Sequence, residues 1–182
     1  MLFRSLEPFK EAKSVIELGC NGGRNPYVLQ QRNPGMTLCG VDINADAVEY
    51  ARARIRGEFL VGDLYDVETV LAERTADVIF TMGVLIHLHP DTLPPLLAAL
   101  ARRARRFLAL VEQVSPDNTV VKGPAGWFPE RRATGEYIQW SPNLPGMLAT
   151  LGLPYTLSDV PLQFQTNGAR HFLIVPTSGS VA

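Results

Sequence analysis

Short apolar runs alternate with longer amphipathic segments along the first two thirds of the chain. The runs have the length of buried strands, and the segments between them repeat their apolar residues at helical spacing. Such alternation is typical of βαβ units, in which helices join parallel strands. The pattern predicts strands at 14–18, 37–41, 58–61, 77–81 and 107–111, and helices at 26–31, 45–55 and 92–103.

Polar residues mark the starts of these three helices. Asn25 precedes Pro26, Asn44 precedes the second helix, and Asp91 precedes the third. Asparagine and aspartate side chains accept hydrogen bonds from the first free N–H groups of a helix, and proline fits its first turn. We therefore expect Asn25, Asn44 and Asp91 to be N-caps.

The pattern changes after the fifth strand. Residues 115–142 are rich in proline, glycine and charged residues and contain several aromatic side chains. A connection of this length usually has a function, so we interpret it as a substrate lid or, alternatively, as an apolar cover that touches no ligand. A short helix at 144–151 follows, and strands at 155–160 and 172–175 then flank Asn167-Gly168, which is a hairpin signal.

Together these elements predict an α/β fold with a doubly wound, mostly parallel seven-stranded sheet and an antiparallel C-terminal edge hairpin. The chain has the length of one domain, which we assign to residues 1–176, with 177–182 as a disordered tail. The start of the chain lacks the apolar core of a signal peptide.

Composition narrows the function classes. The formal net charge of −1 gives no long-range attraction to nucleic acid or anionic membranes, and no apolar run is long enough to span a bilayer. Cys20 and Cys39 do not have the spacing of metal ligands, so we predict no metal site. We expect both thiols to be reduced in a cytoplasmic protein.

The most informative segment is the glycine turn, residues 19–23, which follows Glu17 at the end of the first strand. Glycine lets a backbone approach a ligand closely, and Asn21 tolerates left-handed geometry. The dinucleotide fingerprint does not fit, because Asn21 replaces its second glycine. The Glu17 carboxylate would also repel a pyrophosphate, whereas it suits a ligand with a cationic sulfonium and an amino group.

Acidic residues also end the next two strands. Asp42 follows the turn by about 20 residues, where the acidic residue of a βαβ nucleotide site meets the ribose, and Ile43 beside it can pack on adenine. Asp63 can accept a hydrogen bond from the adenine amino group, and the Leu64 N–H can bond a ring nitrogen. Each acid alone could be structural, as a buried strand carboxyl, a turn former or a cap. The prediction therefore depends on all three acids in order behind a glycine turn.

Segments 17–23, 40–44, 62–64 and 81–87 resemble the successive motifs of class I S-adenosylmethionine-dependent methyltransferases, although Asn21 replaces a usual glycine. The resemblance implies S-adenosylmethionine as cofactor, with its methionine part near the turn, and a methyl-transfer cleft at Met82 and Gly83. The complete set of candidate cofactor-binding residues is Glu17, Gly19, Cys20, Asn21, Asp42, Ile43, Asp63, Leu64, Met82 and Gly83. Residues 83–91 more narrowly resemble methylases associated with pseudaminic acid biosynthesis, which implies a sugar-nucleotide or surface-glycan acceptor.

His87 follows the fourth strand at the mouth of this cleft, and it is our candidate catalytic base. A base is needed only where the nucleophile is a weakly acidic hydroxyl or a protonated amine. A neutral packed or capping histidine is the alternative. Glu112 and Gln113 end the fifth strand on the same edge and are candidate substrate contacts.

The sequence thus predicts a methyltransferase that acts on a small polar metabolite such as a sugar derivative, without a nucleic-acid or membrane partner. Two other classes stay open: a non-catalytic module that binds S-adenosylmethionine or S-adenosylhomocysteine, and a nicotinamide-dependent oxidoreductase on a similar fold. Turnover with any acceptor would exclude the first, and titration with NADH tests the second.

Overall fold

The computed structural model describes residues 7–123, 137–159 and 171–177. These residues form a seven-stranded sheet with helices on both faces and a separate two-stranded sheet. The strands are β1 Ser14–Leu18, β2 Thr37–Asp42, β3 Glu58–Val61, β4 Ala76–Met82, β5 Ala104–Glu112, β6 Thr119–Gly123, β7 Tyr137–Ser141, β8 Thr156–Asp159 and β9 His171–Pro176. The helices are α1 Glu7–Lys10, α2 Arg24–Arg32, α3 Ala45–Arg52, α4 Val67–Leu71, α5 Leu93–Arg103 and α6 Leu144–Thr150.

The strand order of the large sheet is β3-β2-β1-β4-β5-β9-β8. The first five strands in this order are parallel, and β9 pairs antiparallel with both β5 and β8. The predicted fold class is therefore confirmed. Because the chain reverses its direction of winding between β1 and β4, a crevice opens there at the carboxyl ends of the strands.

Each face of the sheet has its own apolar core. Helices α4, α5 and α6 cover one face, and α1, α2 and α3 cover the other. Helix α5 shows why: Leu93, Leu96, Leu97 and Leu100 recur at helical spacing and are all buried. Burying one leucine side chain contributes about 1.5–3 kcal/mol, so this stripe fixes α5 on the sheet.

One of the three predicted N-caps is correct. The Asn44 side chain accepts hydrogen bonds from the N–H groups of Asp46 and Ala47. The other two are wrong: α2 begins two residues earlier than predicted, with Gly23 as its cap, and Thr92 occupies the cap position of α5. Asn25 lies inside α2 instead, and Asp91 lies within a 3-10 turn at Pro90–Thr92.

The sequence pattern missed four of these elements, namely the helices α1 and α4 and the strands β6 and β7. Helix α4 buries only Val67 and Leu71, which is too short a stripe to recognise. Strands β6 and β7 pair antiparallel within residues 115–142, the long connection described above, which we call the insertion. Residues 124–136 of that insertion, the Asn167-Gly168 turn and the tail 178–182 lie outside the described residues.

The described ranges hold no candidate membrane span and no candidate metal cluster. No helix in them is long and apolar enough to cross a membrane. They also contain no group of three or more histidine, cysteine, aspartate or glutamate side chains arranged to hold a metal ion.

Candidate functional site

The carboxyl ends of β1, β2 and β3 bring the three predicted acids to one edge of the sheet. Glu17 is the penultimate residue of β1, Asp42 ends β2, and Asp63 follows β3. These strands are direct neighbours in the sheet, so the acids line a continuous strip. The strip ends at β4, whose last residue is Met82.

The glycine turn is fixed by its own backbone. Gly19, Asn21 and Gly23 have positive φ values of 70°, 48° and 79°. The N–H groups of Gly19 and Cys20 both donate to the Val41 carbonyl, at 2.7 and 3.0 Å, which ties the turn to β2. A Cβ atom on Gly19 would lie 2.3 Å from Val84 Cγ2, so only glycine allows the turn to touch the loop after β4.

Asp42 holds the same turn through its side chain. Its Oδ2 accepts the Asn21 N–H at 2.7 Å and its Oδ1 accepts the Asn44 N–H at 2.9 Å. The first bond stabilises Asn21 in its left-handed conformation. A carboxylate has about four acceptor positions, so Asp42 can accept further donors while it makes both bonds.

Glu17 is the least expected group, because its carboxyl is buried and only partly satisfied. Its Oε1 accepts the Asn25 amide N–H at 2.6 Å, whereas Oε2 has no hydrogen-bond partner among the described residues. Burial raises the pKa of Glu17 to about 8, the Asn25 amide opposes this rise, and the Asp42 carboxylate adds to it. A cation that reached this carboxyl would find an unused acceptor in a protected place.

The strip also exposes apolar side chains beside its acids. Ile43 is 69% exposed, and Val61 and Tyr65 are exposed as well. Asp63 Oδ1 accepts the Tyr65 N–H at 3.0 Å and caps the 3-10 turn that begins at Leu64, a half-buried residue. Apolar surface of this kind next to polar groups is a feature of sites that bind flat, partly polar rings.

Cys20 is a buried residue that supports the glycine turn. Its Sγ would lie 2.7 Å from a Cβ atom on Gly40. Its N–H donates to Val41, its carbonyl accepts the Gly23 N–H, and its thiol bonds the Asn21 carbonyl at 3.5 Å. Cys20 therefore shapes the turn and has no free donor to offer a ligand.

The loop after β4 forms the opposite wall of the crevice. Gly83 has a positive φ of 66° and donates its N–H to the Val111 carbonyl at 2.9 Å. The Val84 N–H donates to both oxygens of the Glu112 carboxylate, at 3.0 and 3.1 Å. Glu112 is fully buried, so the structure places this predicted substrate contact as an anchor of the loop.

His87 lies at the end of a 3-10 turn, Leu85–His87, and its side chain is exposed. His89, two residues on, packs its ring edge-on against Trp140 of β7, with ring centroids 4.7 Å apart. The Tyr65 hydroxyl accepts the His89 N–H at 3.4 Å, so this loop contacts both the adjacent turn and the insertion.

Asn25 is the site residue that sequence reasoning missed. Its amide donates to Glu17 and lies 3.5 Å from Met82 Sδ, so it joins β1 and β4 across α2. Asparagine before proline is a strong cap signal, and that signal concealed the contact of Asn25 with Glu17. A polar residue just beyond the glycine turn, eight positions after an acidic residue in a buried strand, is the signal that could have identified Asn25.

Comparison with known proteins gives a consistent result. The model of a family described as a methyltransferase domain matches residues 15–106, just over half of the chain. Trans-aconitate 2-methyltransferase of Methylobacterium radiotolerans is 28% identical over 132 residues, which cover 71% of this chain and 50% of that protein. The chain thus spans about half the length of this curated relative.

Solved structures share the fold. An O-methyltransferase family protein from Burkholderia thailandensis matches with a TM-score of 0.69 at 18% identity, over 97% of this chain and 54% of that one. Magnesium protoporphyrin IX methyltransferase from Synechocystis PCC 6803, solved with S-adenosylmethionine bound, matches with a TM-score of 0.61 at 19% identity, over 90% and 69%. From the family match and the fold, the chain belongs to the class I S-adenosylmethionine-dependent methyltransferases.

Proposed function

We propose that this protein binds S-adenosylmethionine along the acidic strip and transfers the methyl group to a small polar metabolite. The observation that carries the proposal is the buried Glu17 carboxyl with its unused oxygen. A carboxyl in this position favours a ligand with positive charge, which the pyrophosphate of a nicotinamide dinucleotide does not supply. S-adenosylmethionine has both a sulfonium and an amino group.

The rest of the strip fits the other parts of this cofactor. Asp42 is held by two backbone N–H groups and keeps acceptor capacity for the ribose hydroxyls. Asp63 and the Leu64 N–H offer an acceptor and a donor for the adenine edge, and exposed Ile43 offers apolar surface for its face. Gly19 and Asn21 give the backbone shape at the methionine end, beside Met82 and Gly83.

The chain's own residues then have the task of positioning the acceptor. Bound S-adenosylmethionine supplies an electrophilic methyl group and a neutral thioether leaving group. Good alignment of a nucleophile is worth about 7–11 kcal/mol, so the walls formed by Gly83 and Val84 matter more than a strong base. His87 accepts the acceptor's proton where the nucleophile is a hydroxyl or an ammonium.

The acceptor is a small molecule in this proposal. The relatives compared above are named for trans-aconitate and for magnesium protoporphyrin IX. A sugar-nucleotide or surface-glycan precursor is the acceptor class that we would screen first, with small carboxylic acids second. The near-neutral net charge favours neither class by long-range attraction.

Thermal unfolding with excess S-adenosylhomocysteine tests the proposal, with NADH as the control ligand. At one hundred times its dissociation constant a ligand adds about 2.7 kcal/mol, which raises the Tm of a domain of this size by roughly 5–10 °C. A rise with S-adenosylhomocysteine alone is the expected result. No rise, together with no heat in calorimetry, would remove the proposal. Methyl transfer to any acceptor then separates an enzyme from a binding module.

A further inference from the structure

We propose that Glu17 and Asn25 form a charge-selective pair: Glu17 is uncharged in the free protein, and each cationic ligand that binds displaces its proton to solvent. This inference rests on the proposed function, because it concerns the same cofactor site. It adds the release of one proton to the binding equilibrium. It also identifies the feature by which the site distinguishes charged from uncharged adenosine derivatives.

The geometry around the carboxyl makes the ionised form costly in the absence of a ligand. Glu17 is 2% exposed, and Asn25 provides the one hydrogen bond that reaches it from the described residues. Its second oxygen is buried without a partner. An ionised carboxylate in such a place would lack the donors that replace water, so the Glu17 carboxyl keeps its proton until a cation or donor arrives.

The neighbouring charges act in the same direction. Asp42 on β2 is the charged group whose field reaches Glu17, and it opposes a second negative charge. The Cys20 thiol in the glycine turn is also close, but burial raises its pKa well above the neutral range, so it stays uncharged. Asn25 on α2 and Met82 on β4 carry no charge. These contacts agree with the raised pKa of Glu17, about 8.

A bound ammonium or sulfonium reverses this balance. Glu17–COOH becomes Glu17–COO⁻, the proton passes to the solvent buffer, and the ligand keeps its own charge. The positive charge then compensates both Glu17 and Asp42. An adenosine derivative without a cationic centre leaves Glu17 protonated, so its binding releases no proton.

Isothermal titration calorimetry of the full chain in buffers of different ionisation enthalpy counts these protons. We would work near pH 6.5, where an α-amino group with its ordinary pKa of about 7.7–8.0 is charged both free and bound. S-adenosylmethionine and S-adenosylhomocysteine should each release roughly one proton, and 5′-methylthioadenosine, which lacks the amino-acid part, should release none. Release by S-adenosylmethionine alone would assign the effect to the sulfonium.

Variants link the proton to this carboxyl. Glu17→Gln should abolish proton release and make the dissociation constant independent of pH between about pH 5.5 and 7. The wild-type dissociation constant should fall by up to about tenfold for each unit by which the pH rises over that range. Glu73→Gln, which removes an exposed carboxyl between α4 and β4, should behave like the wild type. Asn25→Ala should move the pH dependence upward, because the Asn25 amide lowers the pKa of Glu17.

The outcomes separate the two proposals. Binding of both cofactor forms without proton release would overturn the charge-selective pair and leave the proposed function intact. Proton release that persists in Glu17→Gln would do the same. Absence of binding by either form would overturn both. Should Glu17→Gln fail to fold, the wild-type pH dependence and the comparison with 5′-methylthioadenosine decide the question by themselves.

Discussion

The two walls of the crevice are built in different ways. The glycine turn on the β1–β2 side is held mostly by backbone bonds to the adjacent strand, such as those from Gly19 and Cys20 to Val41, and by the Asp42 carboxylate. The loop after β4 is held by Glu112, a buried side chain 28 positions away, and by contact of His89 with Trp140. The first wall repeats a pattern that many nucleotide sites need, whereas the second can change through a few side chains. A fold can therefore keep its cofactor while its acceptor changes.

The contact between Gly19 and Val84 joins the two walls, so its loss should have the largest effect. Gly19→Ala places a Cβ 2.3 Å from Val84 Cγ2 and forces alanine to a φ of 70°. We expect a loss of about 3–4 kcal/mol in the free energy of unfolding, measured with urea, and loss of S-adenosylhomocysteine binding.

Gly152→Ala is the matched control for this variant. Gly152 has a φ of 67°, and nothing lies within 4 Å of an added Cβ. It should lose only the cost of left-handed backbone, about 1–2 kcal/mol. Equal losses in the two variants would show that the walls do not press on each other.

Glu112 is the next test, because it supports only the second wall. Glu112→Ala removes the acceptor of the half-buried Val84 N–H, and we expect a loss of about 2–3 kcal/mol in the free energy of unfolding. Glu112→Gln keeps one carbonyl acceptor and should lose less. Hydrogen exchange of the Val84 amide should accelerate in the alanine variant. An unchanged exchange rate would mean that the loop is held by other contacts.

Asp42 is the corresponding test of the first wall. Asp42→Ala should weaken S-adenosylhomocysteine binding by about 2–3 kcal/mol in calorimetry while the domain stays folded. The structure adds a second consequence, since the variant also removes the acceptor of the Asn21 N–H. Asp42→Asn keeps an acceptor oxygen for one backbone donor, and it should retain more affinity than the alanine variant. Unchanged affinity in Asp42→Ala would contradict the ribose assignment.

Glu17 makes the stability of the ligand-free protein depend on pH. Its pKa is raised from 4.5 to about 8 by burial, so the folded state binds more protons than the unfolded state between these values. The stability that Glu17 contributes should therefore be complete below about pH 4.5 and decline as pH rises towards about 8, by up to about 1.4 kcal/mol per pH unit. Unfolding in urea at about pH 5 and about pH 8 should show a smaller decline in Glu17→Gln than in the wild type. Equal declines would mean that other groups cause the pH dependence.

The same contrast explains what the sequence could predict. The first wall follows a recognisable order of buried strand, glycine turn and acidic strand end, so the turn, the strand ends and Asp42 were located by pattern. The second wall depends on partners distant in sequence, and no local pattern pairs Glu112 with Val84 or His89 with Trp140. Asn25 was misassigned for a related reason, since its type favours a cap and its actual partner, Glu17, lies on another element.

The smallest effect concerns the contact between the second wall and the insertion. His89 has two parts in this contact: its Nδ1 accepts the Asp91 N–H at 3.3 Å, and its ring packs on Trp140. His89→Asn keeps a capping acceptor and removes the ring, so it should lose about 0.5–1.5 kcal/mol in urea unfolding. His89→Ala removes both parts and should lose about 1 kcal/mol more. In a Trp140→Leu background the His89→Asn loss should shrink, because its partner ring is gone. A loss of the same size in both backgrounds would mean that this ring contact does not stabilise the junction between the loop and the insertion.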